Sequence, residues 1–379
     1  MAGCTAVQIL PEIQKVAKKV TVFQRTPNWV VPRADAPVSP LMRNVLKYVP
    51  PVRWRKRALQ MDFREWTYGA IVDPNSDSAK MFRDAALDLM HTQLPDQPEM
   101  WEKLTPKYNL GCKRIIISDD YYPALNAPNV DLETRPIHSI SDRSVKVTNE
   151  SGEPEAVEDD YDLLVLATGF QTQQFMHPIK LYGRNGTPLR ELWKNGARGY
   201  YGVNVEDMPN FGMLYGPNTN LGHNSIILMI EAQSRYINGL IHPVLEARKQ
   251  GQALSLVPKK EKVDAYNEKV QSVLKNSSFS DPSCHSWYKN EAGLITNNWS
   301  GTVVEYQEML SKVNYDDYEA AGSGRKIVQA KRTHSVGRVH EETVVSNTAL
   351  MALGVVSTAA VLGGFLMRNS KYLNQLRAR

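Results

Sequence analysis

Cysteine is scarce in this 379-residue chain, which has only Cys4, Cys112 and Cys284. Three cysteines exclude a disulfide framework, and their spacing matches no zinc motif, so they read as free thiols in a reducing compartment. No metal site is expected. Gly-x-Gly-x-x-Gly does not occur anywhere. Self-similarity at solenoid spacing is also missing, which excludes a repeat architecture. Residues 1–6 carry no Lys or Arg and a proline follows at position 11, so no signal peptide is expected. Charge of one sign is in short supply too. The chain has 45 basic and 40 acidic residues, a net charge of +5. Residues 323–379 hold nine of the basic and two of the acidic ones, leaving a body with 36 and 38. A near-neutral body excludes a nucleic-acid-binding surface of the usual basic kind.

What is present is ordinary globular material. The hydrophobic fraction is 42% and the charged fraction 22%, which excludes a disordered chain, a collagen-like repeat and a polytopic membrane protein. The length fits two domains or one large one. Residues 2–17 have a helical period with Pro11 inside it, where a kink is expected. Val20–Phe23 reads as a strand, residues 36–60 as a loop leading into a helix, and residues 78–104 as a helix. Residues 109–135 read as irregular, and residues 145–157 as a charged hairpin. Tyr161–Thr168, with Leu163–Ala167 inside it, reads as a buried strand, and Phe211–Tyr215 as another. Long helices are expected from Ile226 (apolar stripe Ile226, Ile230, Ile237, Leu240, Ile241) and over residues 259–276. This alternation predicts an α/β fold. Residues 321–347 read as a polar linker. Thr343–Met367 contains no charge, and the span over 348–368 is predicted to be a C-terminal transmembrane helix followed by a basic tail, 369–379. Charge bias gives only weak orientation, because Lys and Arg flank both sides.

Four constellations are candidates for chemistry. Gly3, Thr5 and Ala6 open a helix ahead of the strand Val20–Phe23, as where a dinucleotide pyrophosphate meets a helix N-terminus; an ordinary buried helix start fits them equally. Arg25 stands 22 residues after Gly3, with Thr26 beside it, where NAD binders carry an acid for the ribose. A guanidinium and a hydroxyl there suit a 2′-phosphate, so the spacing favours NADP over NAD; a solvent-facing Arg is the other reading. Lys113-Arg114 by composition is simply a solvated pair. Ala167-Thr168-Gly169 after a predicted strand is either a ligand-facing turn or a plain one. Trp287-Tyr288 reads as core, or as a ring-stacking pair.

Taken in order, Ala2-Gly3-Cys4-Thr5-Ala6, Val20–Trp29, Gly111-Cys112-Lys113-Arg114, Ala167-Thr168-Gly169-Phe170 and Gly216-Pro217-Asn218 resemble the class B flavoprotein monooxygenases of the Baeyer–Villiger type, over about residues 1–320. The resemblance implies two interleaved dinucleotide-binding domains, one for FAD and one for NADP. Residues 1–165 would form the Rossmann-like NADP-binding domain with a helical insertion, and 166–320 the C-terminal part of the FAD-binding and substrate domain. It implies that Arg25, Thr26 and Lys113 hold the NADP 2′-phosphate and that Arg114 is the active-site arginine beside the flavin. Trp287 would pack on NADP, Ala167, Thr168 and Gly169 would form the return between domains, and Asn218 would lie in a cofactor-binding turn. The implied reaction uses NADPH and O2 to insert one oxygen atom into a ketone, giving an ester or lactone. The family's first Gly-x-Gly-x-x-Gly and its fingerprint with Phe, Gly, His and Trp-Pro are not in this sequence. The expectation is therefore a C-terminal part of a longer enzyme, with poor FAD binding of its own. N- or S-oxidation, and a tail-anchored pseudoenzyme or nucleotide-binding remnant, stay open as alternatives. Expected partners are a small ketone or other apolar substrate, O2 and, through the C-terminal helix, a membrane, with the catalytic part on the cytosolic side.

Overall fold

The computed structural model describes residues 3–158, 160–284, 286–346, 348–352 and 355–362. The chain falls into two units, one of residues 1–37 and 64–338, the other of residues 38–63 and 339–379.

Two short parallel strand pairs organise the first unit. Val20–Phe23 lies parallel to Val130–Glu133, with Val20 opposite Val130 and Phe23 opposite Glu133. Val30–Val31 lies parallel to Ile116–Ile117. Parallel strands need cover on their faces. The helix Cys4–Ile13 supplies part of it, burying Val7, Leu10 and Pro11 at helical spacing. Met90, Leu94, Leu104, Tyr121 and Leu125 complete this core. Each fully buried apolar side chain of this size contributes roughly 1.5–3 kcal/mol.

The expected helix over 78–104 is two helices, Asp77–Gln93 and Pro98–Leu104. Pro95 and Pro98 explain the break, because a residue before proline is driven out of helical geometry. Ser76 caps the first of them, accepting the Ala79 N–H at 3.2 Å. Residues 36–60 are more ordered than expected and fall in the helices Pro40–Tyr48 and Pro50–Trp66. Their prolines sit in the first turn, where a missing N–H costs nothing. Residues 109–135 hold Ile116–Ile117, the helix Tyr121–Leu125 and Val130–Glu133, pieces too short to show a period. The hairpin forms from Val145–Thr148 and Pro154–Glu158, with Ile137–Ile140 as a third antiparallel strand.

Other expectations are corrected. Tyr161–Thr168 is not a strand, and Leu163 and Leu166 are each 72% exposed. No ladder among the described residues runs beside this segment, so its apolar side chains have no face to pack on. Phe211–Tyr215 is irregular, although Met213 and Phe211 pack with Trp193 and Met208. The helix Ile226–Lys249 forms, but its buried face is Met229, Ala232, Gln233, Tyr236, Gly239, Leu240 and Ala247 together with Pro243. Leu240 alone of the predicted stripe is buried. Polar groups take the inner face because they find partners there: Gln233 Nε2 donates to the Tyr306 hydroxyl, and the Tyr236 and Tyr318 hydroxyls bond to each other, both at 2.9 Å. The helix Lys260–Leu274 buries Val263, Tyr266, Val270 and Leu274. Within the predicted linker lie the helix Arg325–Lys331 and the strand Thr333–Ser335. Cys112 and Cys284 are not free thiols but a disulfide, and Cys4 is the remaining free cysteine.

The predicted transmembrane helix over 348–368, and with it the single-pass membrane anchor and the membrane partner, is also corrected. No helix among the described residues is long and apolar enough to cross a membrane. Residues 348–352 and 355–362 are helical. Residues 353–354 and 363–368 of that prediction, and the basic tail 369–379, lie outside the described residues.

One turn is specified by glycine. Gly202 has φ +67°, and a Cβ there would lie 2.2 Å from Thr219 Cγ2 and 2.5 Å from the Pro217 carbonyl oxygen. A Cβ on Gly216 would lie 2.2 Å from the Gly202 oxygen. Backbone contact of this kind admits only glycine. Gly202→Ala is expected to lower stability by about 2 kcal/mol or more, read as a fall in Tm. An unchanged Tm would contradict the close approach.

Candidate active site

The register Val30 opposite Ile116 sets the site. Parallel strands start at the same end, so the residues just before each strand come to one edge. Here those residues are Arg25-Thr26 and Lys113-Arg114. Tyr108 joins the two segments. Its hydroxyl donates to the Pro27 carbonyl at 2.9 Å, and its own carbonyl accepts Trp29 Nε1 at 3.1 Å. Lys113 Nζ sits 4.8 Å from the centre of the Tyr108 ring.

Arg25 and Lys113 are close enough to repel. Burial holds the Lys113 amine below the usual lysine range, and the Arg25 guanidinium pushes it lower still. Arg25 is exposed and Lys113 half-buried, and two neighbouring cations of this kind suit a doubly charged phosphate. At the helix N-terminus Gly3 provides no side-chain cap, the first turn carries no acid, and among the described residues nothing lies within 4 Å of the place a Gly3 Cβ would occupy. Thr5 is exposed and Ala6 half-buried there. Unmet N–H groups and a positive dipole end suit an anion.

Next to this edge is a cavity of about 690 Å³. Arg64, Arg114, Tyr215, His223, Trp287 and Tyr288 are among its walls. Burial raises the Tyr215 hydroxyl's pKa, and the positive charge of Arg114 partly offsets this. Arg114 is exposed on the cavity side and Trp287 is 39% exposed.

The structure therefore brings Arg25, Thr26, Lys113, Arg114 and Trp287 towards one region, with the start of the helix Cys4–Ile13 lining the cavity through Cys4. Other predicted site residues lie differently. Thr168 and Gly169 are exposed and Ala167 half-buried, on the segment that forms no strand. A Cβ at Gly169 would meet nothing within 4 Å. Asn218 is buried and staples the chain to itself. Its Nδ2 donates to the carbonyls of Ile295 at 2.8 Å and Asn298 at 2.9 Å, and its N–H to that of Thr296 at 2.9 Å. Its amide donors are thus already taken up by backbone.

Glu65 and His223 escaped sequence reasoning. Each looks isolated in the chain, and only the fold sets them side by side. Glu65 Oε1 accepts Asn224 Nδ2 at 2.7 Å and the Val303 N–H at 3.3 Å, while Oε2 accepts the Val304 N–H at 3.0 Å. His223 Nε2 stands 3.5 Å from Oε1, too far for a well-formed hydrogen bond. The Tyr68 ring lies against the imidazole at 5.0 Å. Burial alone would raise the Glu65 carboxyl, but His223, the Val304 N–H and Asn224 outweigh it and hold the pKa below the usual range. This cluster fixes the cavity loop that carries His223 and Asn224.

With this geometry in view, the class of protein is a flavin monooxygenase relative built on an α/β dinucleotide-binding frame. No protein-family model matches the chain. The chain is 50% identical over 370 residues to the FAD-binding monooxygenase ktnD of Aspergillus niger, covering 98% of this chain and 59% of that protein. It is 33% identical to a Baeyer–Villiger monooxygenase of Streptomyces coelicolor, covering 87% of this chain and 61% of that one. Among solved structures, an oxidised steroid monooxygenase bound to NADP superposes with a TM-score of 0.66 at 23% identity, covering 84% of this chain and 65% of that one. Cyclohexanone monooxygenase does so with 0.65 at 21% identity, covering 85% and 66%. At such identities these structures speak for the fold alone. By sequence, the chain is similar to flavin monooxygenases of the Baeyer–Villiger type, and it spans about three fifths of the length of the relatives it matches.

A carboxylate whose pKa is depressed in the folded state stabilises above its unfolded value, near 4.5 here, and that contribution is lost as pH falls through the folded value. Glu65→Gln should therefore lower Tm at pH 7, with the two proteins converging as pH falls through the carboxyl's folded value. Parallel Tm-against-pH curves would contradict the ionised role.

Proposed function

We propose that this chain carries the NADP-binding and substrate-side part of an FAD- and NADPH-dependent monooxygenase that inserts one oxygen atom of O2 into a ketone, giving an ester or lactone. The observation that carries the reading is that Tyr108 ties the Arg25-Thr26 segment to the one carrying Lys113 and Arg114, with Arg114 lining the cavity. The relatives named Baeyer–Villiger monooxygenase, at 33% and 31% identity, support the reaction class. On this reading residues 1–165 form the NADP-binding domain and residues 166–320 belong with the flavin-binding domain and substrate pocket.

When bound, the two cofactors supply the hydride and the oxygen chemistry. The chain supplies binding and electrostatics. Arg25, Thr26 and Lys113 hold the 2′-phosphate by charge-assisted hydrogen bonds, and the open turn at Gly3, Thr5 and Ala6 faces the pyrophosphate. Trp287 covers the dinucleotide with an indole face. Arg114 places a fixed positive charge at the cavity wall, where negative charge develops on oxygen. In a site screened from water such a charge is worth far more than in bulk solvent. The sequence holds no Gly-x-Gly-x-x-Gly, so the flavin's pyrophosphate is not assigned to any loop of this chain.

Arg25→Ala and Lys113→Ala should each weaken NADP⁺ binding about tenfold or more, as expected for loss of a charge-assisted bond, and leave NAD⁺ binding within about twofold. Lys113→Ala should not lower Tm, since it removes a repulsion. Arg114→Ala should keep NADP⁺ binding and lose oxygen insertion by a factor on the order of 10² or more. Equal losses for both nucleotides, or full oxygenation in Arg114→Ala, would defeat the assignment.

A further inference from the structure

The loop that delivers Lys113 and Arg114 is covalently tied to the loop that delivers Trp287. Cys112 and Cys284 are joined across 172 residues of sequence, with their Cα atoms 6.4 Å apart. Both are buried, at 0% and 2% exposure. Cys112 immediately precedes Lys113, and Cys284 lies three residues before Trp287. The tie is reinforced on either side. The Asn109 N–H donates to Asp281 Oδ2, and Lys289 Nζ to the Asp281 carbonyl, both at 2.8 Å. Thr172 and Gln173 donate to the Trp287 carbonyl, at 3.4 and 3.3 Å. Tyr108, at the other end of the loop, binds the backbone next to Arg25-Thr26. Residues 108–114 therefore form a plate fixed to the Arg25 loop on one side and to the Trp287 loop on the other.

Arg25 and Lys113 need such a plate. Arg25 and Lys113 carry like charge, and a cradle set in place beforehand spares the ordering cost of binding. We propose that the Cys112–Cys284 disulfide is a positioning device for nucleotide recognition, holding Lys113 against Arg25 and Trp287 over the same ligand, so that the preference for a 2′-phosphorylated dinucleotide depends on the bridge. This rests on the reading of Arg25 and Lys113 as the 2′-phosphate grip.

The test uses the full chain and thiol counting. Protein purified without reductant and denatured should titrate one thiol, Cys4, and three after reduction. Dithiothreitol opens the bridge by giving up two electrons and two protons: the S–S bond becomes two thiols and the reagent closes into its cyclic disulfide. Reoxidation with that cyclic disulfide runs the exchange backwards. NADP⁺ and NAD⁺ affinities are measured by calorimetry on the oxidised, reduced and reoxidised chain, and on the double variant Cys112→Ser, Cys284→Ser. The expected result is about a tenfold loss for NADP⁺ on reduction, little change for NAD⁺, recovery on reoxidation, and the reduced behaviour in the double variant. Three thiols in the unreduced protein overturn the proposal, and so does an unchanged NADP⁺:NAD⁺ ratio in fully reduced protein. Loss of both affinities together with the fold, by circular dichroism, reduces the bridge to a structural staple and overturns it as well. Arg25→Ala in the oxidised chain separates the two readings. If it leaves the ratio intact, the phosphate grip itself is wrong; if it collapses the ratio while reduction does not, the bridge proposal alone fails.

Discussion

The site hangs on a two-residue parallel pairing, Val30–Val31 against Ile116–Ile117. Register is the reason it matters. A parallel pair fixes which loops share an edge, and this register brings the segment after Val20–Phe23 to the segment before Ile116. The side chains that arrive there repel each other, which is a cost to the unliganded fold. Tyr108 offsets part of it by holding both backbones and offering its ring to Lys113. On the proposed reading, the exposed Arg25 near the half-buried Lys113 is a charge arrangement that suits an anion.

The rest of the first unit reads as support for that edge. The helix Cys4–Ile13 is anchored by Val7, Leu10 and Pro11. The Gly202–Gly216 approach and the Asn218 staple lock the turn that leads into the cavity loop. Glu65 then ties that loop to the start of the helix Val303–Met309. A half-buried carboxylate with three donors and an imidazole nearby is a strong local constraint, because losing a partner leaves charge less well satisfied in a poor solvent.

Much of this was legible in the sequence where local rules act alone. The strand Val20–Phe23, the Asn149 hairpin and the helices from Ile226 and over 259–276 follow from period and turn chemistry. Arg25 and Thr26 follow from spacing. Lys113-Arg114 does not, since an adjacent basic pair is usually solvated surface and only the resemblance singled it out. Tertiary terms decided the remainder. Leu163–Leu166 has strand composition but no neighbour to pair with. The helix from Ile226 turns Gln233 and Tyr236 inward because distant hydroxyls await them. Glu65 with His223, and Cys112 with Cys284, are partners across more than 150 residues, a distance no periodicity spans. The apolar run near the C-terminus satisfies composition for a membrane helix, while no helix among the described residues is long and apolar enough to cross a membrane.

The most direct measurement of the central claim is calorimetric titration of the full chain with adenosine 2′,5′-bisphosphate and with adenosine 5′-monophosphate. A site built on Arg25, Thr26 and Lys113 predicts binding of the 2′-phosphorylated nucleotide tighter by about tenfold or more, as one strong charge-assisted contact gives. Equal affinities for the two nucleotides would contradict it.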